Sequence, residues 1–135
     1  IDNPPYQLFY YGELPKDNIP SVSIIGARMC SNYGLENAKI FASELAKNGV
    51  QIISGMASGV DGISQKAAVN CGGKSYAILG SGVDICYPAG NKSLYNDLKE
   101  NLLDKKVAKV LCESEQYNSF YRALTYWIGF NDTKI

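Results

Sequence analysis

This chain contains no histidine and few arginines, and it carries no net charge. The 135 residues include no His, and 13 cationic side chains balance 13 acidic ones, so the formal net charge is zero. Without His the chain cannot form a Ser-His-Asp triad or a His-ligated zinc site. A neutral chain also lacks the overall basic field that identifies many nucleic-acid-binding domains. The cations that stand out are the two arginines, Arg28 and Arg122.

Cysteine pairs and long apolar runs are also missing. The cysteines form no Cys-x-x-Cys pair, since they lie at Cys30, Cys71, Cys86 and Cys112. We therefore expect free thiols in a reducing cytoplasm, and neither a metal site nor a bound cofactor. No apolar run approaches the ~20 residues of a membrane span, and no segment has the pattern of a signal peptide. The composition predicts a globular cytoplasmic domain without a membrane partner.

Strand patterns and helix patterns alternate along most of the chain. Strands are predicted at 21–26, 50–54, 74–79 and 107–112. Helices are predicted at 34–48, 59–71 and 91–102, with a further aromatic helix over 117–130. This alternation is typical of right-handed βαβ crossovers, and it predicts an α/β sandwich with a mainly parallel sheet and helices on both faces.

The first 20 residues differ in composition from the rest. They hold four of the five prolines and a cluster of aromatic side chains. We expect an extended lead-in over 1–20 that packs its aromatics on the sheet, followed by a single domain over 21–135.

Three strand-to-glycine-to-helix junctions form the strongest functional pattern. They span residues 26–34, 54–61 and 80–91, and in a parallel sheet they meet at one edge. There, glycines let backbone N–H groups approach phosphate oxygens, and helix N-termini add their positive ends. The pattern predicts a site for a phosphate-bearing ligand or nucleic-acid backbone. Its candidate residues are Gly26, Ala27, Arg28, Ser31, Ser54, Gly55, Gly59, Asp61, Gly80, Ser81, Gly82 and Asn91.

Arg28 is the side chain with the clearest chemistry in this set. It lies two residues past the first strand, where its guanidinium could bind a phosphate with two hydrogen bonds. The alternative is a salt bridge to Asp61 or Asp84, which themselves are expected to cap helices rather than to catalyse. Three serines without an adjacent base are predicted to donate hydrogen bonds rather than to act as nucleophiles, namely Ser54, Ser58 and Ser81.

Four motifs follow one another across residues 2–91. They are Asp2-Asn-Pro-Pro-Tyr-Gln-Leu8 with Tyr11-Gly12, Gly26-Ala-Arg28 with Ser31 and Tyr33-Gly34, Ser54-Gly-Met-Ala-Ser-Gly-Val-Asp61, and Leu79-Gly-Ser-Gly-Val-Asp84 with Tyr87-Pro88 and Asn91. In this order they resemble the DprA/Smf family of DNA-processing proteins. The resemblance implies a Rossmann-like three-layer sandwich.

The same resemblance implies a function. It points to a cytoplasmic homodimer that binds single-stranded DNA without catalysis and helps to load a RecA-type recombinase during DNA uptake or recombination. Because the chain is neutral, a local patch of Arg28, Lys66, Lys74 and Lys92 would have to bind the backbone. The last third departs from the family: its Arg-Asn-Arg positions fall at Ala123, Leu124 and Thr125, and Ser64-Gln65 stand where the family has Ala-His.

Two other functions remain open from the sequence. The pocket could sense or cleave a small nucleotide, as in the phosphoribohydrolases of the same superfamily, although their Pro-Gly-Gly-x-Gly-Thr motif is absent. The domain could also be a degenerate scaffold whose aromatic segment over 117–127 forms a dimer contact. That segment could instead stack bases.

Overall fold

The computed structural model describes residues 9–99 and the main chain of 101–104. Its strands are β1 Tyr10–Gly12, β2 Ser21–Ser23, β3 Gln51–Ser54, β4 Ser75–Leu79 and β5 Asn101–Asp104. Its helices are α1 Asn32–Lys47, α2 Val60–Asn70 and α3 Lys92–Leu98, the last preceded by a single 3₁₀ turn at Ala89–Asn91.

The described strands form one sheet in the order β1-β5-β4-β3-β2. Strands β2 to β5 run parallel, with Val22 beside Ile52 and Ile52 beside Ser75, whereas β1 pairs antiparallel with β5. Each parallel pair is joined through a helix, as parallel strands require. The predicted α/β class and the mainly parallel sheet are therefore confirmed.

The described helices pack in a single layer. Strands β2 to β5 advance in one direction across the sheet, so right-handed crossovers place the connecting helices on the same face. In agreement, α2 contacts both α1 and α3. Small side chains allow the close approach, since Ala38, Ala42 and Ala46 are the buried positions of α1. The prediction of helices on both faces therefore differs from the structure, because all helices of the described residues lie on one face of the sheet.

The core lies between this helical layer and the sheet. One cluster joins Ala46 of α1, Ile52 of β3 and Ala68 of α2. A larger cluster lies under α3, and its buried members are Met56, Ala77, Leu79, Val83, Leu94, Tyr95 and Leu98. Because the second cluster includes loop residues Met56 and Val83, the core packing extends to the carboxyl edge of the sheet.

The end of α3 differs from the prediction. The helix ends at Leu98 instead of residue 102, and β5 begins at Asn101. Leu94, Leu98 and Leu102 follow a four-residue spacing that indicates a helix, but pairing with β4 imposes a strand on residues 101–104. The strand predicted at 107–112 and the helix predicted at 117–130 lie outside the described residues.

The lead-in also differs from the prediction. Tyr10–Gly12 form an edge strand of the sheet itself, and Phe9, Tyr10 and Tyr11 are 54%, 51% and 40% exposed rather than packed on it. The segment is fastened by the buried Gln51 instead. The side-chain oxygen of Gln51 accepts from the Lys16 N–H at 3.0 Å. Its side-chain N–H group donates to the Lys16 carbonyl at 3.0 Å and to the Ile19 carbonyl at 3.1 Å.

Two further expectations can be compared with the described residues. Cys30, Cys71 and Cys86 carry free thiols there. No helix of this part of the chain has the length and apolar character needed to span a bilayer.

Two buried phenols predict how stability depends on pH. Burial raises the pKa of Tyr76 and Tyr95 above the ordinary 10.0, and the Tyr95 hydroxyl donates to the Val83 carbonyl at 2.8 Å. The unfolded chain therefore releases these protons at lower pH than the folded chain does. The contribution of the two phenols to the free energy of unfolding is fully present below the ordinary pKa, and it is lost as pH rises through the raised pKa values. We expect Tyr95→Phe to cost about 1 kcal/mol at neutral pH and to make the alkaline loss shallower.

Urea unfolding of the parent and the variant across the alkaline range measures both effects. Tyr10→Phe, at an exposed strand position, is the matched control. An alkaline loss equally steep in the parent and in Tyr95→Phe would contradict the prediction.

Candidate functional site

Three loops meet at the carboxyl edge of the parallel sheet, as the sequence predicts. They follow β2, β3 and β4, and hydrogen bonds join each to the next. The Val60 N–H donates to the Ala27 carbonyl at 3.3 Å, linking the second junction to the first. The Asn91 side chain donates to the Met56 carbonyl at 2.9 Å, linking the third to the second.

Asp61 holds the first two loops together. Its carboxylate is buried at the start of α2, where one oxygen accepts from the Gly26 N–H and the other from the Gly55 N–H, both at 3.2 Å. Both carboxylate oxygens are thus engaged by backbone amides of the protein. Asp61 therefore positions the loops, which agrees with its expected place in the first helical turn.

Gly59 is required by the packing of these loops. Its φ is +82°, and a Cβ at this position would lie 2.3 Å from the Ala27 carbonyl oxygen. Gly26 is similarly confined, since an added Cβ would lie 2.9 Å from a methyl carbon of Val60. The turn itself therefore accounts for these two glycines. Gly80 differs, because nothing lies within 4 Å of the position of its missing Cβ.

Met56 adopts an unusual backbone conformation in the loop between β3 and α2. It is fully buried with a φ of 55°, a region that non-glycine residues seldom occupy. Its N–H donates to the Gln65 side-chain oxygen at 2.9 Å, and its carbonyl accepts from Asn91. Gln65 in turn donates to the Tyr76 carbonyl at 2.9 Å. Two side-chain amides thus fix a turn that costs on the order of 1–3 kcal/mol by itself.

Several predicted ligand contacts have partners within the protein. The Ser54 hydroxyl is buried and donates to the Ile24 carbonyl at 2.6 Å, and the Ser31 hydroxyl caps α1 by accepting from the Gly34 N–H at 3.3 Å. Asn91 is occupied by the Met56 and Ala57 carbonyls. These three side chains therefore shape the loops.

Other predicted residues line an open cleft of about 350 Å³. We call it the Arg28 cleft, and its lining residues are Arg28, Gly55, Ala57, Ser58, Gly80, Ser81, Tyr87 and Pro88. All three loops contribute to it. Ala57, Tyr87 and Pro88 were not among the predicted ligand contacts. The third and fourth motifs contain them, so their place in these motifs was the available signal.

The Arg28 cleft has the chemistry of an anion site. Arg28 is exposed and forms no ion pair with any described residue, so neither predicted salt bridge, to Asp61 or to Asp84, is present in this part of the chain. The lining residues include one cation and the hydroxyls of two serines and a tyrosine, but no carboxylate. The start of α2 behind Ser58 adds the positive end of a helix dipole. Within the described residues, no group of His, Cys, Asp and Glu is placed to hold a metal ion.

Of the predicted basic patch, Arg28 alone is among the residues that line this cleft. Lys66 pairs with Asp97 at 2.6 Å, and the Lys92 ammonium lies 4.7 Å from the ring centre of Tyr95. Lys74 precedes β4, whereas Arg28 follows β2, so in a parallel sheet the two lie at opposite ends of the strands. The predicted strands at 21–26 and 74–79 already imply this separation for Lys74, because in a parallel sheet a residue before one strand lies at the end opposite a residue after another.

The Asp61 bridge leads to a stability prediction. We expect Asp61→Asn to destabilise the fold by about 1–3 kcal/mol, because the amide retains one acceptor and leaves one of the two backbone donors buried without a partner. Urea unfolding of both proteins measures the difference. Asp84→Asn, at an exposed position in the third loop, is the control. A loss for Asp61→Asn no larger than that of this control would show that the bridge contributes little.

The described fold resembles solved structures of DNA-processing proteins. The DNA processing protein A of Streptococcus pneumoniae aligns with a TM-score of 0.65 and 35% identity, over 73% of this chain and 35% of that one. The protein of Helicobacter pylori aligns with a TM-score of 0.69 and 32% identity, over 78% and 49%. That second structure was determined for its single-stranded DNA binding mode.

Sequence comparisons agree with the structural ones. Protein Smf of Borreliella burgdorferi is 37% identical over 100 residues, covering 74% of this chain and 32% of the relative. DNA processing protein DprA of Streptococcus pneumoniae is 38% identical over 94 residues, covering 70% and 33%. The chain thus spans about a third of these relatives. Residues 1–119 match the model of the family described as DNA recombination-mediator protein A, and the chain belongs to that family.

Proposed function

We propose that this chain binds single-stranded DNA by its phosphate backbone in the Arg28 cleft, as part of a DNA-processing protein. The observation that carries the proposal is an exposed arginine without an ion-pair partner in the described residues, at the point where three fixed loops meet. The Helicobacter pylori structure supports the proposal, because it describes single-stranded DNA binding by a relative of similar fold.

The cleft supplies the contacts that a phosphodiester needs. A guanidinium can donate two parallel hydrogen bonds to one phosphate, and the exposed hydroxyl of Ser58 can donate another. Gly80 leaves open space beside its backbone, so a phosphate oxygen can approach the main chain there. Because Asp61 and Asn91 fix the loops, these groups need little reordering when a strand binds.

We further propose that the site binds DNA without altering it covalently. Nucleophilic attack by serine needs a base within hydrogen-bond reach. The Ser54 and Ser81 hydroxyls instead donate to the carbonyls of Ile24 and Ile85, at 2.6 and 3.2 Å. The absence of His from the sequence supports the same proposal.

The wider role rests on the family. We propose that the full protein works in the cytoplasm as a mediator that helps a RecA-type recombinase to load onto DNA during DNA uptake, as in natural transformation, or during recombination. The family description as a recombination mediator supports this role.

A small nucleotide is the second candidate ligand. The volume of the Arg28 cleft, about 350 Å³, falls at the lower end of the range of small-molecule pockets, about 300–1,000 Å³. A sensor or phosphoribohydrolase-like enzyme would use such a pocket for a single nucleotide. Competition with a panel of mononucleotides and dinucleotides separates the two candidates, because displacement of oligo-dT by one of them at low concentration favours the second.

Arg28→Ala tests the site directly. We expect affinity for oligo-dT to fall by about 1–3 kcal/mol, and the slope of log affinity against log salt to become shallower by about one ion. Fluorescence polarisation over a salt series measures both quantities. Arg28→Lys should retain most of the salt slope but lose affinity, because lysine keeps the charge without the two-pronged geometry.

Lys74→Ala is the matched control, since it removes one cation at the opposite end of the sheet. If Arg28→Ala binds oligo-dT as the parent does at every salt concentration, then the Arg28 cleft is not where DNA binds.

Self-association provides a further test of the proposed family role. Family resemblance implies a homodimer, and exposed apolar side chains such as Tyr33 and Ile40 on α1 supply surface for one. We expect light scattering at tens of micromolar to give twice the mass of the chain. A monomer mass at that concentration would count firmly against the dimer.

A further inference from the structure

Gln65 is a buried side chain that connects a loop of the Arg28 cleft to the sheet. It is polar, yet it is 0% exposed. Its side-chain oxygen accepts from the Met56 N–H at 2.9 Å. Its side-chain N–H groups donate to the Tyr76 carbonyl at 2.9 Å and to the Ser75 hydroxyl at 3.3 Å. One neutral amide therefore joins α2, the loop after β3 and the first half of β4.

The bond to Met56 lies where this loop changes direction. Met56 has a φ of 55°, and its side chain is fully buried in the cluster under α3. Its neighbours Gly55 and Ala57 line the Arg28 cleft on either side, and Ser58 follows them. The left-handed turn thus sends one side chain into the core and leaves the adjacent residues at the cleft. Because methionine seldom adopts this conformation, the loop depends on the bond from Gln65 to keep it.

We propose that Gln65 is a positioning residue for DNA binding: it holds the Met56 turn in the conformation in which the Arg28 cleft binds a phosphate backbone. Gln65 is buried, so it acts through the loop and does not contact the DNA. This inference rests on the proposed function of the Arg28 cleft. A loop that is ordered before binding loses less entropy when the ligand binds. Without Gln65 the free loop would adopt commoner conformations, and binding would have to reorder it.

The role requires a neutral group that both donates and accepts. An ionised carboxylate only accepts, so it cannot donate to the Tyr76 carbonyl. A protonated carboxyl group has one donor and one acceptor, and it can replace the amide at both the Tyr76 carbonyl and the Met56 N–H. Gln65→Glu therefore makes the positioning residue titratable. Burial and the carboxylate of Asp61, one turn earlier in α2, both raise the pKa of the introduced carboxyl group.

The other titratable groups on the surrounding elements differ from the introduced carboxyl group. Burial raises the pKa of Tyr76 on β4 and of Tyr95 on α3 above the ordinary 10.0. Asp97 of α3 pairs with Lys66, β3 has no titratable residue, and the charged side chains of α1 are exposed. The parent protein, measured over the same pH range, provides the baseline for thiols such as Cys71 at the end of α2.

The test measures oligo-dT affinity of the full chain by fluorescence polarisation from about pH 5.5 to about pH 9, relative to the parent at each pH. We expect Gln65→Glu to bind as the parent does at the acidic end. Its affinity should fall at least about fivefold as pH rises through the pKa of the introduced carboxyl group. Gln65→Met has a similar length but no N–H donor, and it should lose a similar factor at every pH.

Gln51 provides the matched controls. It is also a buried glutamine that donates to and accepts from backbone groups, but it fastens the lead-in at the start of β3, away from the cleft. Gln51→Glu and Gln51→Met should lower stability as the Gln65 variants do, while the folded protein keeps the parent's affinity for oligo-dT. Thermal unfolding at each pH gives the folded fraction of each variant.

The outcomes separate this inference from the proposed function. A folded Gln65→Met variant with the parent's affinity would overturn the inference, and so would an equal loss of affinity in the Gln51 variants. If Gln65→Met does not fold, Gln65→Glu decides, because a loss of stability at alkaline pH without a loss of affinity would also overturn it. A parent chain that does not bind oligo-dT, or an Arg28→Ala variant that binds it normally, would instead overturn the proposed function.

Discussion

The carboxylate of Asp61 is the constraint on which the rest of the site depends. A buried negative charge is costly unless hydrogen bonds satisfy it, and here two backbone N–H groups from different loops do so, at the positive end of α2. The two loops cannot separate without leaving that charge without partners. Asn91 then attaches the third loop to the second through the Met56 carbonyl. The arrangement is fixed by side chains that face inwards, so the surface residues are free for other contacts.

The site therefore divides its polar residues into two groups. Asp61, Ser54 and Asn91 satisfy backbone groups and determine the shape of the loops. Arg28 and Ser58 are exposed and have no such task among the described residues. The first group also maintains the unusual turn at Met56, because that backbone conformation persists only where surrounding hydrogen bonds determine it. This division explains how a cleft built of small residues can keep a defined shape.

Much of the fold could be predicted from the sequence, because glycine-ended strands followed by amphipathic helices leave few other topologies. The bounds of α1 and α2 agree with the predicted helices to within about two residues. The errors arise where tertiary contacts decide between two local structures, as in β5, whose leucines also suit a helix. For the site, residue type showed which loops matter but not which way a side chain points. Ser54 and Ser58 are four residues apart in one motif, yet one is buried and the other is exposed.

The pairing of β1 with β5 has a consequence for the order of folding. The two strands are separated by almost the whole described chain, so β1 is synthesised first but has no partner until β5 has emerged. Contacts between such distant segments form slowly, because a long loop must close first. Gln51 lies much closer along the chain, so its hydrogen bonds to Lys16 and Ile19 require β3 but not β5. These hydrogen bonds hold the lead-in beside β3 independently of β5. They shorten the effective loop that the pairing of β1 with β5 must close.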